Sequence, residues 1–227
     1  MQKIFSANGY AGEQVDPRPR NAKTIQDFLY INEANIGVNK VNAAVSREIQ
    51  YEAMIGQGKL SSLATLNLTN NSPTDDYTVY LQFVVPQQST VKQITIDGIK
   101  QQLTSAIVDP QVYEAKDFIK PEGLEVEQNS RDGFTHIAFI AVAKKEKKTV
   151  VRVDYENGAG KNLSTIIDYS LLSIKQPGTN PYKLTTTIDY PEGYTPVATA
   201  ADTFGKNFLE KTTTIRKDIM TNVTLQQ

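Results

Sequence analysis

The alternation of apolar and polar positions is sharpest in residues 63–86, LATLNLTNNSPTDDYTVYLQFVVP. In the first arm Ala64, Leu66 and Leu68 alternate with Thr65, Asn67 and Thr69. In the second, Val79, Leu81, Phe83 and Val85 alternate with Thr78, Tyr80 and Gln82. Strand side chains point to opposite faces with a period of two, so each arm offers one apolar face to a core. The intervening NNSPTDD is rich in turn formers, and Pro86 has no N–H to carry a central ladder onward. The stretch is predicted as a hairpin of half-buried strands. Leu66, Leu81 and Phe83, with Val151 further along, are predicted to lie in the core.

The same period returns elsewhere. Residues 47–55 set Ile49, Tyr51 and Ala53 against Glu48, Gln50 and Glu52, and GQGK at 56–59 forms the turn that follows. Strands are predicted over 91–97, 124–127 and 149–155, and over 134–142, where both faces are apolar as in a deeply buried strand. Residues 166–174 and 182–190 form a second hairpin-like pair around KQPGTNP, and 212–225 is predicted as one last strand, although Ile215, Ile219 and Val223 also fit helical spacing. Residues 27–34 (DFLYINEA) fit a short strand or a helical turn, because Phe28 and Tyr30 alternate with the equally apolar Leu29 and Ile31. Roughly ten short strands separated by turn clusters describe an all-β, Ig-like antiparallel sandwich with Greek-key-like connections. Residues 1–40 are predicted as an irregular lead-in that packs on or links to the sandwich, and 41–227 as the sandwich itself. ENGAGKN at 156–162 is the place for a sub-boundary, which leaves open whether 163–227 completes the same sandwich or forms a second unit.

Composition narrows the chemistry. With no cysteine, disulfides and thiolate metal sites are excluded, and a single histidine excludes a His-rich transition-metal centre. A formal charge of −1 gives no general attraction to nucleic acid or anionic lipid. No apolar run approaches the about 20 residues that cross a bilayer, and the first residues lack the charged and apolar regions of a signal peptide.

Several segments are distinctive as strings. NGYAGE at 8–13, FLYINEANIGVNKVNAAVSREIQYEA at 28–53 and YSLLSIKQPGT at 169–179 appear in that order, with LNLTNNS and YLQFVVPQQS between them. Together they resemble the C-terminal extracellular part of an uncharacterised bacterial family of long, membrane-anchored surface proteins, mostly from Gram-positive and related bacteria. Members carry an N-terminal transmembrane helix and a domain of unknown function. The resemblance covers residues 8–190; KQPGT and the N-x-G-x-N-K at 35–40 are its most specific pieces, and Tyr10 stands where the family has Trp. It implies a β-sandwich outside the cell, on a parent protein anchored by an upstream helix. It supplies no catalytic residues to carry over.

Candidate sites are few. Asp75 and Asp76, with Asn71, are oxygen ligands of the kind calcium takes, but the D-x-D-x-D-G loop is absent, and paired aspartates ordinarily solvate a turn. Tyr80 and Gln82 face away from the core in the predicted register. A tyrosine ring beside an amide is a starting point for glycan recognition, and outward Gln50 and Glu52 extend that surface if their strand joins the same sheet. His136 on an apolar strand reads as a packed residue rather than a base or ligand. Gly158-Ala159-Gly160-Lys161 lacks the spacing and following Ser or Thr of a phosphate loop, and reads as a loop between strands. KKEKK at 144–148 reads as a solvated turn that discourages edge-to-edge pairing. Sequons at Asn67, Asn70, Asn162 and Asn222 are chance in a bacterial protein. The expected function is therefore non-enzymatic: a cell-envelope surface module that spaces, scaffolds or binds. Its expected partners are envelope polysaccharide or another surface protein. No nucleic acid and no cofactor are expected, and the membrane is reached only through a segment absent from this chain. The alternative is an enzyme or enzyme-accessory module acting on envelope polysaccharide through a carboxylate pair that the sequence does not single out. A pilin-like subunit with a Lys–Asn isopeptide bond is a third class, for which no sorting motif is present.

Overall fold

The computed structural model describes residues 24–107, 110–113, 118–119 and 121–227; the predicted lead-in over 1–23 lies outside the described residues. Sixteen strands among the described residues form two eight-stranded sheets packed against each other. Sheet I runs in the order β13 (Thr195–Thr199), β16 (Ile219–Gln226), β11 (Ile166–Ile174), β1 (Thr24–Asn35), β4 (Tyr77–Pro86), β9 (Phe134–Ala143), β8 (Leu124–Arg131), β7 (Leu103–Ser105). Sheet II runs β14 (Thr203–Phe204), β15 (Phe208–Ile215), β12 (Tyr182–Asp189), β2 (Val45–Gly56), β3 (Lys59–Asn70), β10 (Lys148–Asn157), β5 (Thr90–Ile96), β6 (Ile99–Lys100). At every place but one, chain-neighbouring strands occupy equivalent positions in the two orders.

The all-β sandwich is thus present, with mixed sheets rather than wholly antiparallel ones: β1 pairs with β11, β2 with β12 and β7 with β8 in parallel. The first two parallel pairs form a seam across both sheets. On one side of it lie strands β1–β10, on the other β11–β16, and a single apolar cluster includes side chains from both sides, Leu81 and Val151 with Leu184 and Leu225 among them.

Four local predictions change. Residues 63–86 are not a hairpin, because β3 lies in sheet II and β4 in sheet I. The NNSPTDD loop arches between sheets, held by Asn70 Nδ2 donating to the Asp75 and Ala143 carbonyls at 2.9 and 3.0 Å. Likewise β11 and β12 belong to different sheets, and KQPGTNP is a crossing. Gln176 stands in there for a strand residue: its side chain accepts from Glu33 N at 2.9 Å and donates to Glu33 O at 2.8 Å, prolonging the β1–β11 pairing. Residues 212–225 are two strand segments, β15 and β16, one in each sheet. Most consequential, Thr24–Asn35 is no part of a lead-in. It is β1, hydrogen-bonded to β11 on one side and β4 on the other.

The core has the predicted residues in the predicted register. Ala64, Leu66, Leu68, Val79, Leu81, Phe83, Val85 and Val151 are all fully buried, and Phe83 stacks on Phe139 with ring centroids 5.9 Å apart. Two carboxylates of β1 also point into this core. Asp27 accepts from Tyr51 Oη at 2.5 Å, Tyr169 Oη at 2.6 Å, Asn157 Nδ2 at 2.6 Å and its neighbour's Phe28 N at 2.8 Å. Tyr51 lies 2.9 Å from Ser62 Oγ and receives the Tyr155 hydroxyl at 3.2 Å. Asp27, Phe28 and Tyr169 come from sheet I and Tyr51, Ser62, Tyr155 and Asn157 from sheet II, so one carboxylate ties the sheets together and spans the seam. Six residues on, Glu33 is paired with Arg47 of sheet II at 2.5 Å and accepts the Tyr77 hydroxyl at 3.0 Å.

Phe83→Ala removes a fully buried stacked ring and should cost about 3–5 kcal/mol in urea unfolding. A loss below about 1 kcal/mol would contradict this packing, since a one-residue slip exchanges the faces of a strand. Asp27 yields a second test. Burial raises its carboxyl above the ordinary aspartate range despite the four donors, so the folded chain takes up a proton more readily than the unfolded one. Ionisation at this site therefore lowers stability as pH rises from about 4, the unfolded value, through the folded value. As pH falls from about 7 to about 4, the wild type should gain stability relative to Asp27→Asn, whose amide does not titrate. A stability difference that stays flat or moves the other way would refute the linkage.

Candidate functional site

The residues predicted as sites are placed apart. Asp76 spends both carboxylate oxygens on the 144–148 turn, accepting from Lys144 Nζ at 2.8 Å and from Lys145 N at 2.9 Å, contacts that hold its carboxyl below the ordinary range. Asp75 accepts the Thr74 hydroxyl at 2.6 Å, and Asn71 donates to the Ala44 carbonyl at 3.0 Å. Among the described residues no three acidic, histidine or cysteine side chains gather as a metal site does. These side chains fasten loops together at one end of the sandwich.

Tyr80 and Gln82 do face outward, from β4 on the outer face of sheet I, and both are half-buried. The Tyr80 hydroxyl donates to Glu127 Oε2 on β8 at 3.0 Å. Gln50 and Glu52 do not extend this surface, because β2 belongs to sheet II and its outward side chains look the opposite way. His136 is buried beside Val84 and Asn129, its cross-strand neighbours, and burial pushes its pKa down. The glycines of GAGK serve close packing: a Cβ on Gly158 would meet the Gln87 carbonyl at 1.8 Å, and one on Gly160 the Leu60 nitrogen at 2.8 Å. Lys161 Nζ donates to the Thr24 carbonyl at 2.8 Å. The loop seals the β10–β11 crossing and leaves no cradle for phosphate.

The outer face of sheet II is different. It holds a groove of about 390 Å³ whose lining includes Gln50, Glu52, Thr65, Asn67, Arg152 and Glu210. Strand register explains the assembly. One cross-strand row runs Thr185, Gln50, Thr65, Arg152 over β12, β2, β3 and β10; the next runs Glu210, Thr187, Glu52, Leu63 over β15, β12, β2 and β3. Asn67 follows Thr65 on the same face of β3. Apart from Leu63, each is the polar member of its strand's alternation, and on β2, β3, β10 and β12 the buried members of that alternation fix where these side chains point.

The floor has an unusual property. Thr65 and Asn67 are only 8% and 6% exposed, yet their side chains, like those of Gln50, Glu52 and Arg152, make no hydrogen bond or ion pair among the described residues. Around them the polar groups are partnered: Lys183 with Glu48 at 3.0 Å, the Thr185 and Thr212 hydroxyls at 3.1 Å, and Thr187 donating to Glu210 at 3.4 Å. The polar atoms of Thr65 and Asn67 keep contact with solvent in the groove, so water satisfies them in the free protein and a ligand can take its place. Sequence reading named Gln50 and Glu52 only as extensions of another surface and missed the rest. Each residue's outward direction was legible in its strand; that β15, β12 and β10 lie side by side with β2 and β3 was not.

No protein-family model matches the chain, and no curated protein does. Among solved structures it is similar to an M1 zinc metallopeptidase from Deinococcus radiodurans, at 10% identity and a TM-score of 0.39, over 81% of this chain and 42% of that one. It is also similar to a putative nutrient binding protein from Legionella pneumophila, at 9% identity and a TM-score of 0.41, over 82% and 68% of the two chains. Native yeast LTA4 hydrolase is similar at 9% identity and a TM-score of 0.43, over 79% and 29%. The chain spans less than half the length of the metallopeptidase and of the hydrolase. Likenesses this distant say nothing about activity.

The loop geometry around Asp75 and Asp76 gives a direct test. Calcium at about 1 mM, the range of extracellular calcium modules, should leave the thermal midpoint unchanged, because the Asp76 oxygens are already occupied by Lys144 and Lys145. A rise in the midpoint that disappears in Asp75→Asn/Asp76→Asn would restore these aspartates as a calcium site.

Proposed function

We propose that this chain is a non-catalytic module of a bacterial cell-envelope protein, displayed outside the cell, which binds envelope polysaccharide in the groove on sheet II. The observation that carries the reading is the pair of deeply set, unpartnered side chains on the groove floor, Thr65 and Asn67. A polyol presents dense donors and acceptors of the kind a hydroxyl and a carboxamide complete, since an amide both donates and accepts. Supplying those partners only in the complex gives each hydrogen bond a binding role and no folding role. Placing the site on strands of a rigid sandwich holds the groups in one geometry without ordering a loop on binding. Tyr80 and Gln82 are not needed, and the absence of Trp is no obstacle where recognition rests on hydrogen bonds.

One observation favours a second reading, a polysaccharide-cleaving enzyme. Burial and the neighbouring Glu52 push the Asp189 carboxyl upward, and a carboxyl that holds its proton is what the general acid of a glycosidase requires. The same experiment separates the two. Pull-down on isolated wall polysaccharide should retain the wild type and release no new reducing ends. Asn67→Leu should lose about tenfold in affinity, the worth of one or two hydrogen bonds, with a thermal midpoint essentially unchanged because the amide makes no hydrogen bond within the fold and leucine is of similar size. Equal retention of the variant would remove the groove from function, and reducing ends appearing with time would favour the enzyme.

A further inference from the structure

The chain has one histidine, and it stands where a second proton is costly. Ile137 and Phe139 of β9 point into the core, so His136 lies on the outer face of sheet I. Its β4 neighbour Val84 belongs there to a separate apolar cluster with Phe28, Phe134 and Leu172. The imidazole is 7% exposed, and both ring nitrogens are buried without a hydrogen-bond partner. Across the β8–β9 pair stands Asn129, whose Oδ1 is likewise buried and unpartnered while its Nδ2 donates to Glu127 at 2.5 Å. Glu127 also accepts the Tyr80 hydroxyl at 3.0 Å.

A neutral imidazole has one donor and one acceptor; the imidazolium has two donors and a charge. Both Glu127 oxygens are engaged by Asn129 and Tyr80, so proton uptake brings a buried charge without a bonded partner. Among the described residues the titratable groups facing the ring are Glu127 and Arg131 of β8 and Asp132 in the following turn, with Tyr80 bound to Glu127 and Tyr30 of β1 beyond Val84. Burial and the Arg131 guanidinium push the imidazole pKa down, against the opposing pull of the Arg131 carbonyl, Asp132 and Glu127. The strand that carries most of these groups is lightly held. On the side away from β9, β8 pairs only with the three-residue β7.

We propose that His136 is an acid-sensitive catch: when it takes up a proton the ring leaves its place between Val84 and Asn129, and β8 loosens from β9 while the two sheets stay packed. Once opened, the strand exposes an ordinary imidazole, which titrates at about 6.5, whereas the closed strand resists the proton. The catch is therefore fully closed above that value and yields as pH falls through it toward the closed-state value. Asp27 responds in the opposite sense and bonds both sheets, so acid opens this corner without parting the sandwich.

Because the histidine is single, its ring protons report the titration directly in NMR spectra of the full chain. Their midpoint should lie below about 6.5. From about pH 7 to about pH 5 the hydrogen-exchange protection of the β8 amides, corrected for intrinsic rates, should drop severalfold with that same midpoint, while protection in β3 and β10 holds. His136→Gln, which places a neutral amide there, should keep β8 protection level over the range. A ring midpoint at or above about 6.5 would overturn the proposal, as would undiminished β8 protection once the ring is protonated. A β8 response with a midpoint of its own, or one of equal size in His136→Gln, would overturn it as well, by assigning the effect to Glu127 or Asp132. The wild-type measurements decide the matter even where the variant folds poorly.

Discussion

The carboxylate of Asp27 is the constraint on which the rest of this sandwich depends. Desolvating an ionised aspartate is costly unless its lone pairs are filled, and here Tyr51, Tyr169, Asn157 and the Phe28 amide fill them. Those donors come from β1, β2, β10 and β11, so no subset of the chain assembles the site alone. Apolar side chains tolerate small slips of one sheet over the other; a carboxylate with four directed donors does not. The Glu33–Arg47 pair repeats the device further along β1, and two such pins fix both the translation and the rotation of the sheets. Truncating one partner of such a buried pair ordinarily costs about 3–5 kcal/mol, because the other charge is left unpaired.

These pins explain why β1 is the organising strand although its sequence does not look like one. Its inward face reads Ile25, Asp27, Leu29, Ile31, Glu33, so acids interrupt the apolar stripe. Its outward face carries Phe28 and Tyr30, and Phe28 is buried against Phe134 with ring centroids 4.3 Å apart. A strand covered on both faces and punctuated by charge yields no clean period of two, which is why residues 27–34 fit strand or helix equally well. KQPGT and N-x-G-x-N-K, distinctive as strings, prove distinctive as mechanics too. Gln176 mimics a strand residue beside Glu33, and Asn35 bonds Asn39 O at 2.6 Å and Gly37 N at 3.0 Å to brace the exit from β1.

What was legible in the sequence is what depends on one strand at a time. Alternation placed Leu66, Leu81, Phe83 and Val151 inside and Tyr80, Gln82, Gln50 and Glu52 outside, and all eight face as read. What was not legible depends on pairs of strands distant in the chain. A hairpin and an arch share the same alternation, because both turn their apolar faces toward one core. They differ only in whether the arms hydrogen-bond to each other or face each other across it. Hence β3 and β4, and β11 and β12, were each joined in one sheet when the chain crosses between sheets. The groove was lost for the same reason: Asn67 of β3, Arg152 of β10 and Glu210 of β15 meet through register that no local pattern encodes.

The division of labour between the two faces of sheet II gives the groove its meaning. Along β2 and β3 the inward residues Ile49, Tyr51, Ala64 and Leu66 are buried in the core, and Tyr51 and Ser62 join the Asp27 network. The outward residues of the same strands are thereby held in place without contributing contacts of their own. A stability requirement alone would place threonine, valine or paired charges there, as it does at Thr185 with Thr212 and Lys183 with Glu48. At Asn67 a carboxamide stands mostly buried in the sheet face yet bonds no group of the fold, so nothing in the fold itself calls for it. Positions where a sequence departs from local physical sense, inside a fold that otherwise obeys it, are where function is to be sought. On the proposed reading the binding surface is the outer face of sheet II, and the buried acids of β1 hold it still.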